Sequence, residues 1–153
     1  MKRVFAWLTV CLLVLALAGC GTASPAETVP TEADKTDDNY RVFYEIFVGS
    51  FADSDGDGTG DLNGILRHLD YLNDGNLLSD TSLGVQGLWL TPIFASPSYH
   101  KYDATDYYRI DSDFGTEDDL RALLDACHAR NVKVILDLVI NHTARNHEWF
   151  QSF

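Results

Sequence analysis

Three polar residues lie at the end of an apolar segment between residues 132 and 142. They are Asp137, Asn141 and His142. A run this rich in Val, Ile and Leu is typical of a strand that is covered on both faces, as in parallel sheets. Because ligand sites of α/β folds are built at the carboxyl ends of parallel strands, we expect these residues to belong to a site. A lone histidine is more often structural, and its Asp and Asn neighbours favour a functional role here.

A second group of chemically capable residues is the acidic segment between Asp53 and Asp61, where carboxylates alternate with glycines. Glycines let the backbone curl so that oxygens converge, and calcium takes about six to eight oxygen ligands. The segment therefore predicts a Ca²⁺ site, and it is not an EF-hand, because Gly64 stands where a bidentate glutamate would be needed. The alternative is a solvated polar turn. The predicted ligands are Asp53, Asp55, Asp57, Thr59 and Asp61.

A third segment, residues 96–108, mixes tyrosines with Ser, His, Lys and Asp. Aromatic faces can stack on the C–H surfaces of sugars, while carboxylates and imidazoles bond hydroxyl groups. This composition suits a carbohydrate-binding loop. A loop that merely packs on its neighbours through its tyrosines would have the same composition.

Alternating strand and helix patterns are present from Tyr40 onward. We predict strands at 41–48, 85–94 and 132–142, separated by two helices. The first helix would bury Leu62 to Leu72 at helical spacing and end near Gly75, and the second would be capped by Thr116. Leu120, Leu123, Leu124 and Cys127 would share one face of that second helix. The order β-α-β-α-β predicts a right-handed parallel α/β sheet.

The first residues read as an export signal, because Lys2 and Arg3 precede an apolar run that is too short for a mature membrane span. Residues 17–20, Leu-Ala-Gly-Cys, resemble a bacterial lipobox, in which Cys20 would carry lipid. An ordinary secretory signal with a chance cysteine is the alternative. We expect a signal at 1–20, a disordered tether at 21–39 and a folded domain at 40–153. The chain would then be lipid-anchored to the membrane, at the bacterial cell surface or on its periplasmic side.

Charge and cysteine content narrow the class of partner. The formal net charge of −12 makes nucleic acid an unsuitable partner, whereas cations and neutral ligands remain suitable. Acidity for solubility alone would also explain much of this excess of negative charge.

With Cys11 removed and Cys20 lipidated, Cys127 would be the one thiol left, and we expect it to be a small buried hydrophobe.

Five segments, taken together and in this order, resemble the start of the α-amylase superfamily, glycoside hydrolase family 13. The resemblance implies a retaining enzyme that cleaves α-glucosidic bonds in a (β/α)8 TIM barrel. Residues 40–153 would form its amino-terminal part, about three strands. The segments are 44–51, 53–64, 87–93, 100–107 and 137–142.

The resemblance also implies residue roles. Tyr102 would stack on the sugar at the cleavage subsite, and His142 would bond the primary hydroxyl of that sugar. Asp106, Asp137 and Asn141 would support the site, and the 53–61 segment would hold calcium. Residues 100–102 read His-Lys-Tyr, which is similar to maltodextrin-cleaving members, whereas exo-acting oligo-1,6-glucosidases usually have Asp-Asn-Gly-Tyr here.

The family's catalytic carboxylates are expected elsewhere. In the superfamily the nucleophile Asp, the acid/base Glu and a third Asp come from strands four, five and seven, which the predicted three strands do not include. We therefore expect an amino-terminal fragment of an enzyme that degrades starch or maltodextrin, inactive by itself. The alternative is a lipid-anchored module that binds maltodextrin or calcium without catalysis.

Overall fold

The computed structural model describes residues 41–153. The predicted signal, Cys20 and the tether at 21–39 lie outside the described residues. Among residues 41–153, no helix combines the length and apolar character needed to cross a membrane. The strands are β1 (Phe43–Ile46), β2 (Gly87–Leu90), β3 (Phe94–Ala95), β4 (Asp106–Ile110) and β5 (Lys133–Leu136). The helices are α1 (Val48–Phe51), α2 (Leu62–Arg67), α3 (Leu69–Leu72), α4 (Glu117–Ala129) and α5 (Glu148–Gln151).

The three predicted strands form one parallel sheet in the order β1-β2-β5. Tyr44 pairs with Leu88, and Leu88 pairs with Val134, so the carboxyl ends of all three strands lie at the same edge. This arrangement confirms the prediction of an α/β fold with parallel strands. It fits the amino-terminal part of a (β/α)8 barrel, as the resemblance implies.

One face of this sheet carries the core. Ile46, Leu88 and Leu90 are fully buried there, together with apolar residues of the helices that cover the face. On the opposite face, Trp89 is 41% exposed and Ile135 is 45% exposed. The two faces differ because the alternation of side chains along each strand points every second residue away from the helices.

The first long helix is interrupted. α2 and α3 meet at His68, whose φ of −106° and ψ of 14° leave the helical region. Its Nδ1 lies 2.9 Å from the carbonyl oxygen of Gly64. Gly64 itself must be a glycine, because a Cβ there would lie 1.9 Å from the carbonyl oxygen of Ala52. The predicted stop at Gly75 is wrong, since α3 ends at Leu72 with Asn73 as its cap.

The second long helix agrees with its prediction. Thr116 caps α4 in a capping box, in which its hydroxyl accepts from the Asp119 N–H and Asp119 accepts from the Thr116 N–H. Leu123 and Cys127 are fully buried, and Leu120 and Leu124 are partly buried. The Asn63 side-chain amide donates to Asp119 Oδ1 at 2.8 Å and so ties α2 to α4.

The predicted strands are longer than the observed ones. β1 ends at Ile46 and is followed by the one-turn helix α1, and Phe94 belongs to β3 rather than to β2. β5 ends at Leu136, so the expected continuation of the strand over 137–142 is wrong. Leu138 and Ile140 are 56% and 86% exposed, which also contradicts the expected coverage on both faces.

The strand β4 was not predicted. It pairs antiparallel with β3, through Phe94 to Ile110, with a register irregularity between Phe94 and Ala95. Its sequence, Asp-Tyr-Tyr-Arg-Ile, is too polar to stand out as a strand. The small β3-β4 sheet fixes both ends of the segment that carries Tyr102.

Candidate functional site

The segment with the tyrosines and the end of β5 meet through one hydrogen bond. The Tyr102 hydroxyl donates to Asp137 Oδ2 at 2.6 Å. Asp137 follows β5 directly, and its N–H donates to the carbonyl oxygen of Leu90 at 2.9 Å. The carboxylate is therefore held at the carboxyl edge of the parallel sheet, where the sequence predicted a site.

The ionisation of Tyr102 follows from this contact. The hydrogen bond to Asp137, with burial and the negative charges of Asp137 and Glu45, raises the pKa of Tyr102 to about 12. The phenol therefore keeps its proton at neutral pH and remains a donor. Tyr102 is 37% exposed, so part of the residue is open to a ligand.

His142 and Asn141 lie in the segment after β5. Both are exposed, and Asn141 Nδ2 lies 3.2 Å from His142 Nδ1. Within the described part of the chain, the His142 ring has no hydrogen bond to Tyr102 or Asp137. The structure thus brings Tyr102 to Asp137, and it places His142 on the same edge of the sheet without linking it to that pair.

Tyr107 holds the segment that carries His142, a role that the sequence did not indicate. Its hydroxyl lies 2.7 Å from the carbonyl oxygen of Val139 and 3.0 Å from that of His142. Burial raises the pKa of Tyr107, which keeps the phenol protonated. The one available signal was its position in the tyrosine-rich segment, which does not distinguish it from Tyr108.

Asp106, predicted as a supporting residue, faces its own strand. Its Oδ1 accepts from the Tyr108 N–H at 2.8 Å, and its Oδ2 lies 3.9 Å from Arg109 Nε. Neither contact reaches Tyr102 or His142. The supporting role of Asp106 stays a prediction, and its observed contacts are with residues of β4.

A groove of about 710 Å³ lies beside the segment that carries His142. The Tyr107 and Trp149 rings stack along it, with centroids 5.8 Å apart and an interplanar angle of 16°. Asn141, His142 and Thr143 supply polar atoms to a mostly apolar lining. Aromatic faces beside an amide and an imidazole suit a ligand with both C–H surfaces and hydroxyl groups.

The segment between Ser96 and Thr105, called here the 96–105 loop, is held by its own side chains. Asp103 Oδ1 accepts from the Ser96 hydroxyl at 2.7 Å and from the Ser98 hydroxyl. Burial raises the pKa of Asp103, but these two hydroxyls outweigh it and the net shift is downward. His100 Nδ1 accepts the Tyr102 N–H at 3.1 Å. The backbone on either side of Tyr102 is therefore well bonded.

The acidic segment brings three carboxylates together. One oxygen each from Asp53, Asp55 and Asp61 lies within 4.8 Å of the others. Carboxylate oxygens are the ligands that hard cations such as Ca²⁺ prefer, so these residues fit the predicted ion by donor type. They are the residues that would hold it.

Backbone amides keep two of these carboxylates ionised. The N–H groups of Gly56 and Gly58 lower the pKa of Asp53. Burial raises the pKa of Asp61, but the N–H groups of Ser54 and Gly64 outweigh it and lower the value. Charged carboxylates this close repel one another, and a cation would relieve that repulsion.

Asp57 and Thr59 were also predicted as ligands. The Asp57 carboxylate is not part of the three-carboxylate cluster, and its Oδ1 instead accepts the Thr59 N–H at 2.7 Å. Ligation by Asp57 and by the Thr59 carbonyl stays a prediction. Asp61 has a second role, because its Oδ1 accepts the Gly64 N–H and caps α2.

Comparison with known proteins gives a matching family model and several similar proteins. Residues 45–153 match the family model described as alpha amylase, catalytic domain. Alpha-amylase 3 of Dictyoglomus thermophilum is 52% identical over 111 residues, 72% of this chain and 21% of that protein. A trehalose synthase/amylase of Mycolicibacterium smegmatis is 45% identical over 128 residues, 83% of this chain and 20% of that protein.

A solved structure gives the same result in three dimensions. The crystal structure of alpha-amylase from H. orenii superposes with a TM-score of 0.70 at 60% identity. The match covers 71% of this chain and 22% of that chain. The chain thus spans about a fifth of the length of the relatives it matches.

Proposed function

The chain belongs to the alpha-amylase family of catalytic domains, and from this membership we propose that it is the amino-terminal part of a retaining α-glucan hydrolase that acts on starch or maltodextrin. The observation that carries the proposal is the bond between the Tyr102 hydroxyl and Asp137 at the carboxyl edge of the parallel strands. This edge is where barrel enzymes place their substrates. The relatives' names, an amylase and a trehalose synthase/amylase, support an α-glucoside as the substrate class.

In this proposal Tyr102 presents its ring to the sugar and His142 bonds a sugar hydroxyl. Tyr102 is suited to stacking because Asp137 fixes its hydroxyl and the residue remains partly exposed. His142 is suited to hydroxyl bonding because its ring is exposed beside Asn141. Asp137, Asn141 and Asp106 support these two residues.

The bond-breaking carboxylates are proposed to lie outside residues 41–153. A retaining glycosidase needs two carboxyl groups roughly 5–5.5 Å apart, one as nucleophile and one as acid/base. The family resemblance assigns these groups to the fourth, fifth and seventh strands of the barrel, whereas the described residues supply the three parallel strands β1, β2 and β5. A polypeptide of the described residues alone is therefore proposed to be inactive.

The face of the parallel sheet opposite the core, called here the inner face, favours the hydrolase proposal over a binding module that is complete in itself. Phe43, Trp89 and Ile135 lie on this face, and each is more than 40% exposed. Apolar surface left in water costs about 25 cal/mol per Å². Further strands of a closed barrel would cover these residues, which favours the hydrolase.

Calcium is proposed as the ion of the acidic segment. Asp53, Asp55 and Asp61 would hold it, with Asp57 and Thr59 as the further predicted ligands. The loop leads directly into α2, so a bound ion would stabilise the connection between α1 and α2.

Export and lipid anchoring are proposed from sequence alone. The apolar run after Lys2 and Arg3 and the Leu-Ala-Gly-Cys motif at 17–20 support lipidation at Cys20. An enzyme anchored in this way would act at the bacterial cell surface or on the periplasmic side of the membrane.

The experiment that tests the hydrolase proposal uses maltoheptaose and the full-length protein, meaning the whole enzyme of which this chain is proposed to be the amino-terminal part. Proton NMR during the first turnovers reports the anomeric configuration of the new reducing end. We expect α-configured products, since a retaining enzyme keeps the configuration of the bond it cleaves. The β-anomer as first product would contradict retention, and binding of maltoheptaose without cleavage would favour the binding module.

A further inference from the structure

Lys101 has an unusual backbone and an unusual environment for a lysine. Its φ is +62°, in the left-handed region that side chains other than Gly, Asn and Asp rarely adopt. The residue is only 5% exposed, although lysines are almost never buried without a partner. A strained backbone and a buried ammonium in the same residue indicate that its surroundings hold it in place.

The buried ammonium contacts two carboxylates and one aromatic ring. Lys101 Nζ lies 3.0 Å from Asp111 Oδ2 and 3.1 Å from Asp113 Oδ2. It also lies 5.2 Å from the centroid of the Phe114 ring. Asp111 is buried as well, at 6% exposure, so its pairing with Lys101 is shielded from water. Removing the ammonium would leave a buried carboxylate without its cation.

One carboxylate oxygen of Asp111 contacts the 96–105 loop at two residues. Its Oδ2 accepts the Ser96 N–H at 2.9 Å and also binds the Lys101 ammonium. Asp111 itself follows β4, and its N–H donates to the carbonyl oxygen of Ile93 at 2.9 Å. The loop is therefore fixed to the β3-β4 sheet at its start and at the residue just before Tyr102.

We propose that Lys101 is a positioning residue for substrate binding, acting through Tyr102. The ammonium holds the left-handed turn at residue 101, and this turn directs Tyr102 toward Asp137, 35 residues later in the chain. The inference deepens the proposed function and rests on it for the role of Tyr102 at the sugar. The position of the Tyr102 side chain relative to Asp137 can be measured without any substrate.

The hydrogen bonds of the polar residues around Lys101 agree with this assignment, while the Tyr99 ring makes an edge contact with Phe47 outside the loop. His100 bonds the backbone of Tyr102, and Ser98 and Asp103 bond within the loop, so none of these side chains reaches across to another element. Lys101 is the loop side chain next to Tyr102 that does reach across, to Asp111 and Asp113. Loss of its ammonium should leave the internal bonds of the loop and the Ser96 bond to Asp111 in place, and release residue 101 from Asp111 and Asp113.

The test uses the full-length protein with 3-fluorotyrosine placed at position 102 and read by ¹⁹F NMR. We expect one sharp resonance in the parent protein. In Lys101→Met the resonance should broaden and move toward that of exposed fluorotyrosine, whereas Arg121→Met, the loss of one positive charge at an exposed residue of α4, should leave it unchanged. An unchanged resonance in a folded Lys101→Met protein would overturn the proposal.

A double variant separates positioning from general stability. Lys101→Met combined with Asp111→Asn removes both buried charges, so this variant should regain stability while its resonance at position 102 stays perturbed. Recovery of the parent resonance together with stability would show that Lys101 acts on stability alone, and would overturn the proposal. This arm also serves if Lys101→Met by itself fails to fold.

Hydrolysis of maltoheptaose then distinguishes a failure of the role proposed for Lys101 from a failure of the proposed function. Lys101→Met should lower kcat/KM roughly tenfold in the parent and have little effect when Tyr102 is already alanine, because the two residues act as a unit. Equal effects in both backgrounds would contradict action through Tyr102. A perturbed resonance together with unchanged kcat/KM in Tyr102→Ala would support positioning by Lys101 and contradict the proposed role of Tyr102 at the sugar.

Discussion

The Tyr102 hydroxyl and the Asp137 carboxylate form a 2.6 Å hydrogen bond between the 96–105 loop and the end of β5. The bond joins two residues that are 35 positions apart in the chain. The 96–105 loop is fixed to the β3-β4 sheet, and Asp137 is fixed to the parallel sheet. Asp137 bonds the backbone of Leu90, and the residue before Tyr102 is paired with Asp111 and Asp113. A ligand at this edge of the sheet would meet a tyrosine ring that is already oriented.

Tyr102→Phe tests the hydrogen bond separately from the ring. The variant keeps the aromatic face and removes the donor, so Asp137 loses one partner. A hydrogen bond to a charged group contributes about 1.5–3 kcal/mol, and partial exposure reduces this to about 1–2 kcal/mol, or roughly 5- to 30-fold in kcat/KM.

Steady-state kinetics of the full-length enzyme on maltoheptaose measures this change. Asp137→Asn is the matched control, because an amide oxygen can still accept the phenolic proton and the loss should be smaller. A larger loss in Asp137→Asn than in Tyr102→Phe would mean that the charge of Asp137, and not the orientation of the ring, is what matters.

Calcium binding should depend on the three carboxylates that converge. Asp53→Asn or Asp55→Asn should weaken Ca²⁺ about tenfold or more, because affinity follows the number of charged ligands. Asp57→Asn is the control, and we expect a smaller effect, since its carboxylate lies outside the cluster. Calorimetric titration of the full-length protein with CaCl₂ gives these affinities. Equal losses in all three variants would make Asp57 a ligand of the same weight as Asp53 and Asp55, and no loss in any of them would contradict an ion in this loop.

The capping box of α4 gives a prediction about stability. Thr116→Ala should lower the free energy of unfolding by about 1 kcal/mol, the usual cost of removing a cap. Urea unfolding of the full-length protein at neutral pH measures it. Thr143→Ala, the same truncation outside any helix, is the control. A change in Thr116→Ala no greater than that in Thr143→Ala would contradict the contribution of the cap.

The same contacts predict how stability depends on pH. The Thr116 hydroxyl, the Thr116 N–H and Asn63 lower the pKa of Asp119 below its ordinary value of 3.8. Because the folded pKa is the lower one, this stabilisation is present above pH 3.8 and is lost as pH falls through the folded value. The Asp119→Asn variant should therefore lose less stability than the parent between neutral pH and acid. A parallel pH dependence of the two proteins would show that Asp119 does not contribute.

Local signals account for what the sequence predicted well. The apolar runs indicated three parallel strands because burial selects Val, Ile and Leu, and Thr116 marked the start of α4 because the capping box is formed within four residues. The acidic segment was recognised for the same reason. These features depend on neighbours along the chain, so the residue types alone are informative.

Features set by distant contacts were not predicted. β4 was missed because its polar residues are those of a strand that pairs on one side only, and the length of β5 was overestimated because its apolar run continues past the last ladder bond. The left-handed turn at Lys101 could not be read from a residue type that avoids it. Which carboxylates converge in the acidic segment depends on the positive φ of Gly56 and Gly58.

Lipid anchoring at Cys20 is tested by metabolic labelling. The parent protein should incorporate radioactive palmitate and partition with membranes, whereas Cys20→Ser should do neither, because the thioether cannot form. Cys11→Ser is the control, since that residue would leave with the signal. Palmitate incorporation that persists in Cys20→Ser would contradict the assignment of the lipobox.

The measurement that tests the central claim most directly is kcat/KM of the full-length Tyr102→Ala variant on maltoheptaose, compared with Tyr108→Ala, a tyrosine that is 86% exposed on the same segment. Loss of a ring that stacks on the reacting sugar, together with its bond to Asp137, should lower kcat/KM about 100-fold, equivalent to about 2.7 kcal/mol of transition-state binding. Tyr108→Ala should retain the parent value. Equal kcat/KM for Tyr102→Ala and the parent would contradict the placement of the sugar site at this edge of the sheet.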